Sequence, residues 1–125
     1  MNREIKFRGF QKSWIYGGIS IFQNEATIFD INCVANSAYE VDIKSVGQFT
    51  GLKDVENNEI FEGDIVLGYN NPHVVTFADG AFYLTAKNSS VRLSRTCGAL
   101  QIIGNIFQNP DLLQGGFKTL MQQGQ

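Results

Sequence analysis

Histidine occurs once, tryptophan once, and proline and cysteine twice each in the 125 residues. Each scarcity excludes something. The two cysteines, Cys33 and Cys97, lie 64 positions apart with no CxxC or Cys/His spacing around them, so neither a zinc knuckle nor a disulfide scaffold is written here. Both are expected as buried, reduced thiols. His73 follows Pro72 with no Cys, Asp or Glu at ligand spacing, which argues against a metal site or a triad and for a surface residue at a strand start. Neither GxxxxGK[ST] nor GxGxxG occurs, and the pairs Gly17-Gly18 and Gly115-Gly116 do not lie between a strand and a long helix, as a phosphate cradle requires. No apolar run approaches the roughly 20 residues of a membrane helix. The start, MNREIKFRGF, alternates charge with apolar groups instead of forming the apolar core of a signal peptide. A cytoplasmic protein is expected, with no cofactor, no membrane and no evident small-molecule substrate.

What the chain does have is glycine, thirteen of them, with 43% hydrophobic and 18% charged residues, the composition of a compact, turn-rich fold. The length suits one domain spanning 1–125, and no linker or internal repeat divides it. The net charge is −2, unevenly spread. Arg3, Lys6, Arg8 and Lys12 outweigh Glu4 at the start. Nine acids face only Lys44 and Lys53 between Glu25 and Asp64, and Lys87, Arg92 and Arg95 form a later basic group.

Period-two alternation and turn residues predict a mainly β chain. Glu4 to Arg8 puts Ile5 and Phe7 on one face of a strand. Trp14 to Tyr16 and Ile19 to Phe22 flank Gly17-Gly18 as a tight hairpin, and Ala26 to Val34 and the run through Tyr39, Val41 and Ile43 are further strands on either side of a turn at Asn36-Ser37. Asn57-Asn58 supplies a turn between Val46–Leu52 and Ile60–Leu67, with a second bend at Gly63-Asp64. Asp79-Gly80 joins His73–Phe77 to Ala81–Thr85, the strongest local hairpin signal in the chain. After the polar turn Lys87 to Ser90 come short strands over Val91–Leu93 and Leu100–Ile103, a break at Gly104-Asn105, and Ile106-Phe107. Asn109-Pro110-Asp111 then starts a short helix, with Phe117, Leu120 and Met121 placed to pack a last turn back.

Four stretches, taken in order, resemble the YopX family of phage and prophage proteins. They are Ile5-Lys6-Phe7-Arg8; Val46-Gly47-Gln48-Phe49-Thr50-Gly51-Leu52-Lys53-Asp54; Ile60-Phe61-Glu62-Gly63-Asp64-Ile65-Val66; and Ile103-Gly104-Asn105-Ile106-Phe107, with Asn109-Pro110 and Leu112-Leu113. The resemblance covers nearly the whole chain. It implies a small SH3-like β-barrel, with additional N-terminal strands and a short C-terminal helix, encoded by a phage or prophage and acting in a bacterial host cell. It brings no established molecular activity and no catalytic residues to carry over. Its motif residues include Gly51, Leu52, Asp54, Gly63, Asp64, Gly104 and Asn105. Where the family commonly turns through Asn-Gly after Lys53-Asp54, this chain has Val55-Glu56-Asn57-Asn58, a turn that Asn can still make at positive φ.

No catalytic constellation emerges. Glu62 and Asp64 would share a face of a regular strand, but Gly63 interrupts it, and Asp64 suits backbone donors of its own turn. Asp30, Glu40, Asp42 and Asp54 have no cation-loop spacing and read as solvated acids. The fifteen aromatics are mostly core, with Trp14, Tyr16 and Tyr69 suited to exposure. Two non-enzymatic functions follow. The first is a barrel that binds a protein partner or a second copy of itself, through exposed strand edges among other means. The second is a nucleic-acid-binding module using Lys87, Arg92 and Arg95 with Tyr83, Tyr69 and Trp14, against which the acidic pI near 5.3 counts.

Overall fold

The computed structural model describes residues 4–32, 37–68, 70–94 and 99–113. Cys33, Tyr69, Arg95, Cys97 and the expected last turn at Phe117 to Met121 lie outside them. The described chain is mainly β, ten strands in antiparallel pairs followed by one short helical segment over residues 110–113. In order, the strands are β1 Phe7–Phe10, β2 Trp14–Phe22, β3 Glu25–Asp30, β4 Ala38–Lys53, β5 Glu59–Phe61, β6 Asp64–Gly68, β7 Asn71–Ala78, β8 Ala81–Ala86, β9 Ser89–Arg92 and β10 Gln101–Asn105. They divide into two compact units, 1–51 and 52–125. The division falls inside β4, so a continuous strand and not a linker passes from one to the other.

In the first unit β1 pairs with both β2 and β4, and β3 also pairs with both, so the sheet partly closes on itself. Its core is Ile15, Ala26, Ile28 and Val41, with Phe7, Ile19, Tyr39, Ile43 and Val46 packed around them. Closure needs β4 to change course between its pairing with β3 and with β1, and the register shifts there between Arg8 and Phe10. Ser45 pins that bulge. Its buried hydroxyl donates to the Asp42 carbonyl at 2.5 Å and accepts the Phe10 N–H at 2.7 Å.

Two expectations fail in this unit. Gly17-Gly18 makes no hairpin, because β2 runs unbroken through it. The turn lies instead at Gln23-Asn24, whose φ values of 50° and 68° give the two-residue geometry that matches strand twist. Gly17 is there for space, since a Cβ on it would stand 1.8 Å from the Phe29 carbonyl oxygen. Ile5 does not share a buried face with Phe7; it precedes β1 and is 68% exposed.

In the second unit the strand order is β10-β6-β7-β8-β9, with β5 following β4 across the Asp54–Asn58 turn. The core gathers Ile60, Val66, Val75, Leu84, Leu93 and Leu100, with Leu52, Phe82 and Ile102 against it. The Asp79-Gly80 hairpin forms as expected, with both residues at positive φ and Ala78 opposite Ala81. Asn57, at φ 69°, makes the turn that the sequence assigned to it. His73 is no surface residue. It lies inside β7 at 4% exposure, opposite Val66, and its Nδ1 is 2.9 Å from the Asn71 carbonyl oxygen.

Candidate functional site

The structure shows what the motif residues do. Asp54 is the junction of the second unit. Its Oδ1 accepts the N–H groups of Glu56 at 2.9 Å and Asn58 at 2.8 Å, closing the turn into β5, while Oδ2 accepts the N–H of Ile102 in β10 at 3.0 Å. One carboxylate thus ties strands 48 positions apart in the chain. The expectation of a solvated acid is overturned by its 7% exposure. Burial alone would raise the carboxyl's pKa; the backbone N–H groups of Ile102, Asn58 and Glu56, together with the Asn58 side chain, outweigh it and hold the pKa below its ordinary 3.8.

Asp64 does the equivalent work one turn later, its Oδ2 accepting the Phe61 N–H at 2.8 Å at 2% exposure. Glu62 sits half-exposed in the same turn, so the two residues do not lie on one regular strand. Gly63, at φ 94°, lies in the left-handed region that glycine alone enters without cost; its N–H reaches the Val75 carbonyl and its carbonyl accepts the Ile106 N–H, each at 2.8 Å. Gly51 has a φ of 90°, and Leu52 packs on the core. Gly104 sits at the β10 bulge, where a Cβ would meet Leu112 at 2.5 Å. Asn105, 8% exposed, accepts the Gln108 N–H at 2.8 Å through Oδ1, and its own N–H reaches Asn109 Oδ1, so the two asparagines set the start of the helical segment.

The basic candidates are only partly brought together. Tyr83 of β8 stands directly opposite Arg92 of β9, and Lys87 is exposed in the turn that joins these strands. Tyr69 and Arg95 fall outside the described residues. Trp14 belongs to the first unit, where the Arg8 guanidinium lies 4.4 Å from its ring centroid and Phe10 meets it edge-on at 5.3 Å. Trp14 and Tyr16 are half-buried. Lys6 is likewise engaged within its unit, 3.5 Å from Glu4 and 5.2 Å from the centre of the Phe49 ring. Among the described residues no three His, Cys, Asp or Glu side chains gather as metal ligands would, and no helix is long and apolar enough to cross a membrane.

What the sequence reading missed is a surface of the first unit. The described phenylalanines are not mostly core: only Phe49 and Phe61 are buried, whereas Phe22 is 70%, Phe29 48% and Phe77 46% exposed. Phe22 and Phe29 share one face of β2 and β3. Cross-strand register sets three rows on that face: Gly18, Phe29 and Ala38; Ser20, Thr27 and Glu40; then Phe22 and Glu25. All but the half-buried Thr27 are exposed. The signal was there to be found in apolar residues at both parities, Ile21 beside Phe22 and Ile28 beside Phe29, where simple alternation buries only one of each pair.

Residues 6–114 match the family model described as YopX protein. The chain belongs to the YopX family. No curated protein matches it.

Within this YopX chain all seven motif residues are bound up with turns, bulges and the core of the structure described above. The Asp54 arrangement has a measurable consequence. A carboxylate whose folded pKa lies below its unfolded value stabilises the fold fully above the unfolded pKa, and that stability disappears as pH falls through the folded pKa. Between about pH 5 and about pH 3, the urea midpoint of the wild type should therefore fall more steeply than that of Asp54→Asn, which cannot ionise. Parallel slopes would show that Asp54 carries no such linkage.

Proposed function

We propose that this YopX chain is a non-enzymatic accessory protein of a phage or prophage, acting in the bacterial cytoplasm by binding another protein. The observation that carries the reading is the exposure of two large rings on one face of the β2–β3 ribbon, Phe22 at 70% and Phe29 at 48%, with Ile21 at 55% on the other face and Ile31 at 53% just past β3. Aromatic side chains are enriched at association sites relative to the rest of a protein's surface. The motif residues supply a scaffold, since Asp54 and Asp64, the buried acids among the described residues, have carboxylate oxygens on backbone N–H groups.

The test compares wild type with Phe22→Thr/Phe29→Thr in a quantitative pull-down from bacterial lysate, each capture identified by mass spectrometry. Threonine keeps the strand preference while removing the rings, so the fold should persist with a melting temperature close to wild type. A defined protein retained by wild type and depleted at least about tenfold by the variant supports the reading, a loss of about 1.4 kcal/mol or more. Identical captures, or none by either protein, would count against it.

A second reading rests on Tyr83 opposite Arg92 beside Lys87, a ring and two cations such as single-stranded nucleic acid uses. It predicts binding to labelled DNA or RNA that weakens steeply with salt and is reduced in Lys87→Ala/Arg92→Ala. An anisotropy titration flat even at low salt removes it.

A further inference from the structure

We infer that the exposed face of β2, β3 and β4 recognises a basic segment of its partner, one that sets lysines or arginines between apolar side chains. This deepens the protein-binding reading above and rests on it. Charge and relief on eight positions fixed by strand register define the face. The two rings, Phe29 and Phe22, stand at opposite ends, with β3 running four residues between their rows, roughly 13 Å. Between and beside them the positions are Gly18, Ala38, Ser20 and Thr27, so the floor is low and the rings rise from it. The remaining two positions are Glu25, directly opposite Phe22, and Glu40, directly opposite Thr27, both exposed. None of the eight positions carries a cation.

A partner that laid its own carboxylates here would meet like charge at both glutamates, and a wholly apolar partner would strand both against itself. A segment with apolar side chains spaced to reach the two rings and a cation between them satisfies rings and carboxylates together. Asp42, beyond Glu40 on the same strand and opposite Phe10, extends the acidic side of the face toward the bulge, where Lys44 follows it.

The probes are two fluorescein-labelled 12-residue peptides with the same leucine and phenylalanine positions, one filled between them with lysine and the other with glutamate. They are titrated against the full-length protein at low and physiological salt. The lysine peptide is expected to bind at least about tenfold more tightly than the glutamate peptide, with the gap narrowing as salt rises. Glu25→Gln/Glu40→Gln should shrink that gap while leaving residual apolar binding, and Phe22→Thr/Phe29→Thr should remove binding of both. Equal binding of the two peptides, or a preference that survives Glu25→Gln/Glu40→Gln, overturns the inference. Its failure is separable from that of the protein-binding reading: a partner captured by wild type and lost in the phenylalanine variant, with no preference between peptides, leaves that reading standing and sinks only the charge selection.

Discussion

Gly17→Ala is expected to destabilise the protein by about 3 kcal/mol or more, while Gly18→Ala, one residue along, changes stability by less than about 0.5 kcal/mol. The contrast comes from what each Cβ would meet. At Gly17 it would sit 1.8 Å from the Phe29 carbonyl oxygen and 3.1 Å from the Ile31 nitrogen, both main chain, so no side chain can swing away to relieve the clash. Relief would require β2 and β3 to part where Gly17 pairs with Asp30, and the Ile31 N–H bond to the Tyr16 carbonyl at 2.8 Å would go with it. At Gly18 there is nothing within 4 Å and the position is exposed. Urea denaturation of the two variants beside wild type settles the matter; similar midpoints for both would mean the strands are not held as close as described.

Asp54→Ala is the second large effect, about 3 kcal/mol, because it removes the buried carboxylate that accepts three backbone N–H groups, two in the turn and one in β10. Asp54→Asn separates the contributions. It keeps one oxygen for the turn N–H groups of Glu56 and Asn58 but offers an NH2 where Oδ2 accepted the Ile102 N–H, so the loss should be intermediate, about 1–2 kcal/mol. Hydrogen exchange adds a local readout: in Asp54→Asn the Ile102 amide should lose protection before those of Glu56 and Asn58 do. Protection unchanged at Ile102 would show that β10 is held without the carboxylate.

The strands of the second unit were legible because their turns are chemically marked. Asp79-Gly80 and Asn57 are residues that accept positive φ, and the backbone uses them so. Gly17-Gly18 misled for the same reason that glycine usually informs. Permission to turn and absence of a side chain are one property, and only the neighbouring strand reveals which is used. Asp54 looked like any surface acid because its third partner, Ile102, is contributed by β10, and no local pattern announces a bond of that span. His73 misled because a proline before a polar residue reads as a turn, whereas here both Pro72 and His73 lie buried within β7. The candidate surface was hidden by the rule that apolar means inside, which fails for Phe22 and Phe29 where both faces of a strand carry large side chains.

The family resemblance read from four stretches stands, and the residues that carry it explain the scaffold far better than the task. The proposed binding surface lies on a different part of the chain, on strands β2 and β3, while the motif residues named above fall at Gly51 and beyond. Scaffold and binding surface are separate in this reading. Its most direct test is site-specific photo-crosslinking in cells, with p-benzoylphenylalanine placed in turn at positions 22, 29 and 83. A discrete protein adduct is expected from positions 22 and 29, and none from 83. Adducts from position 83 alone, or nucleic acid captured there with nothing at 22 and 29, would contradict it.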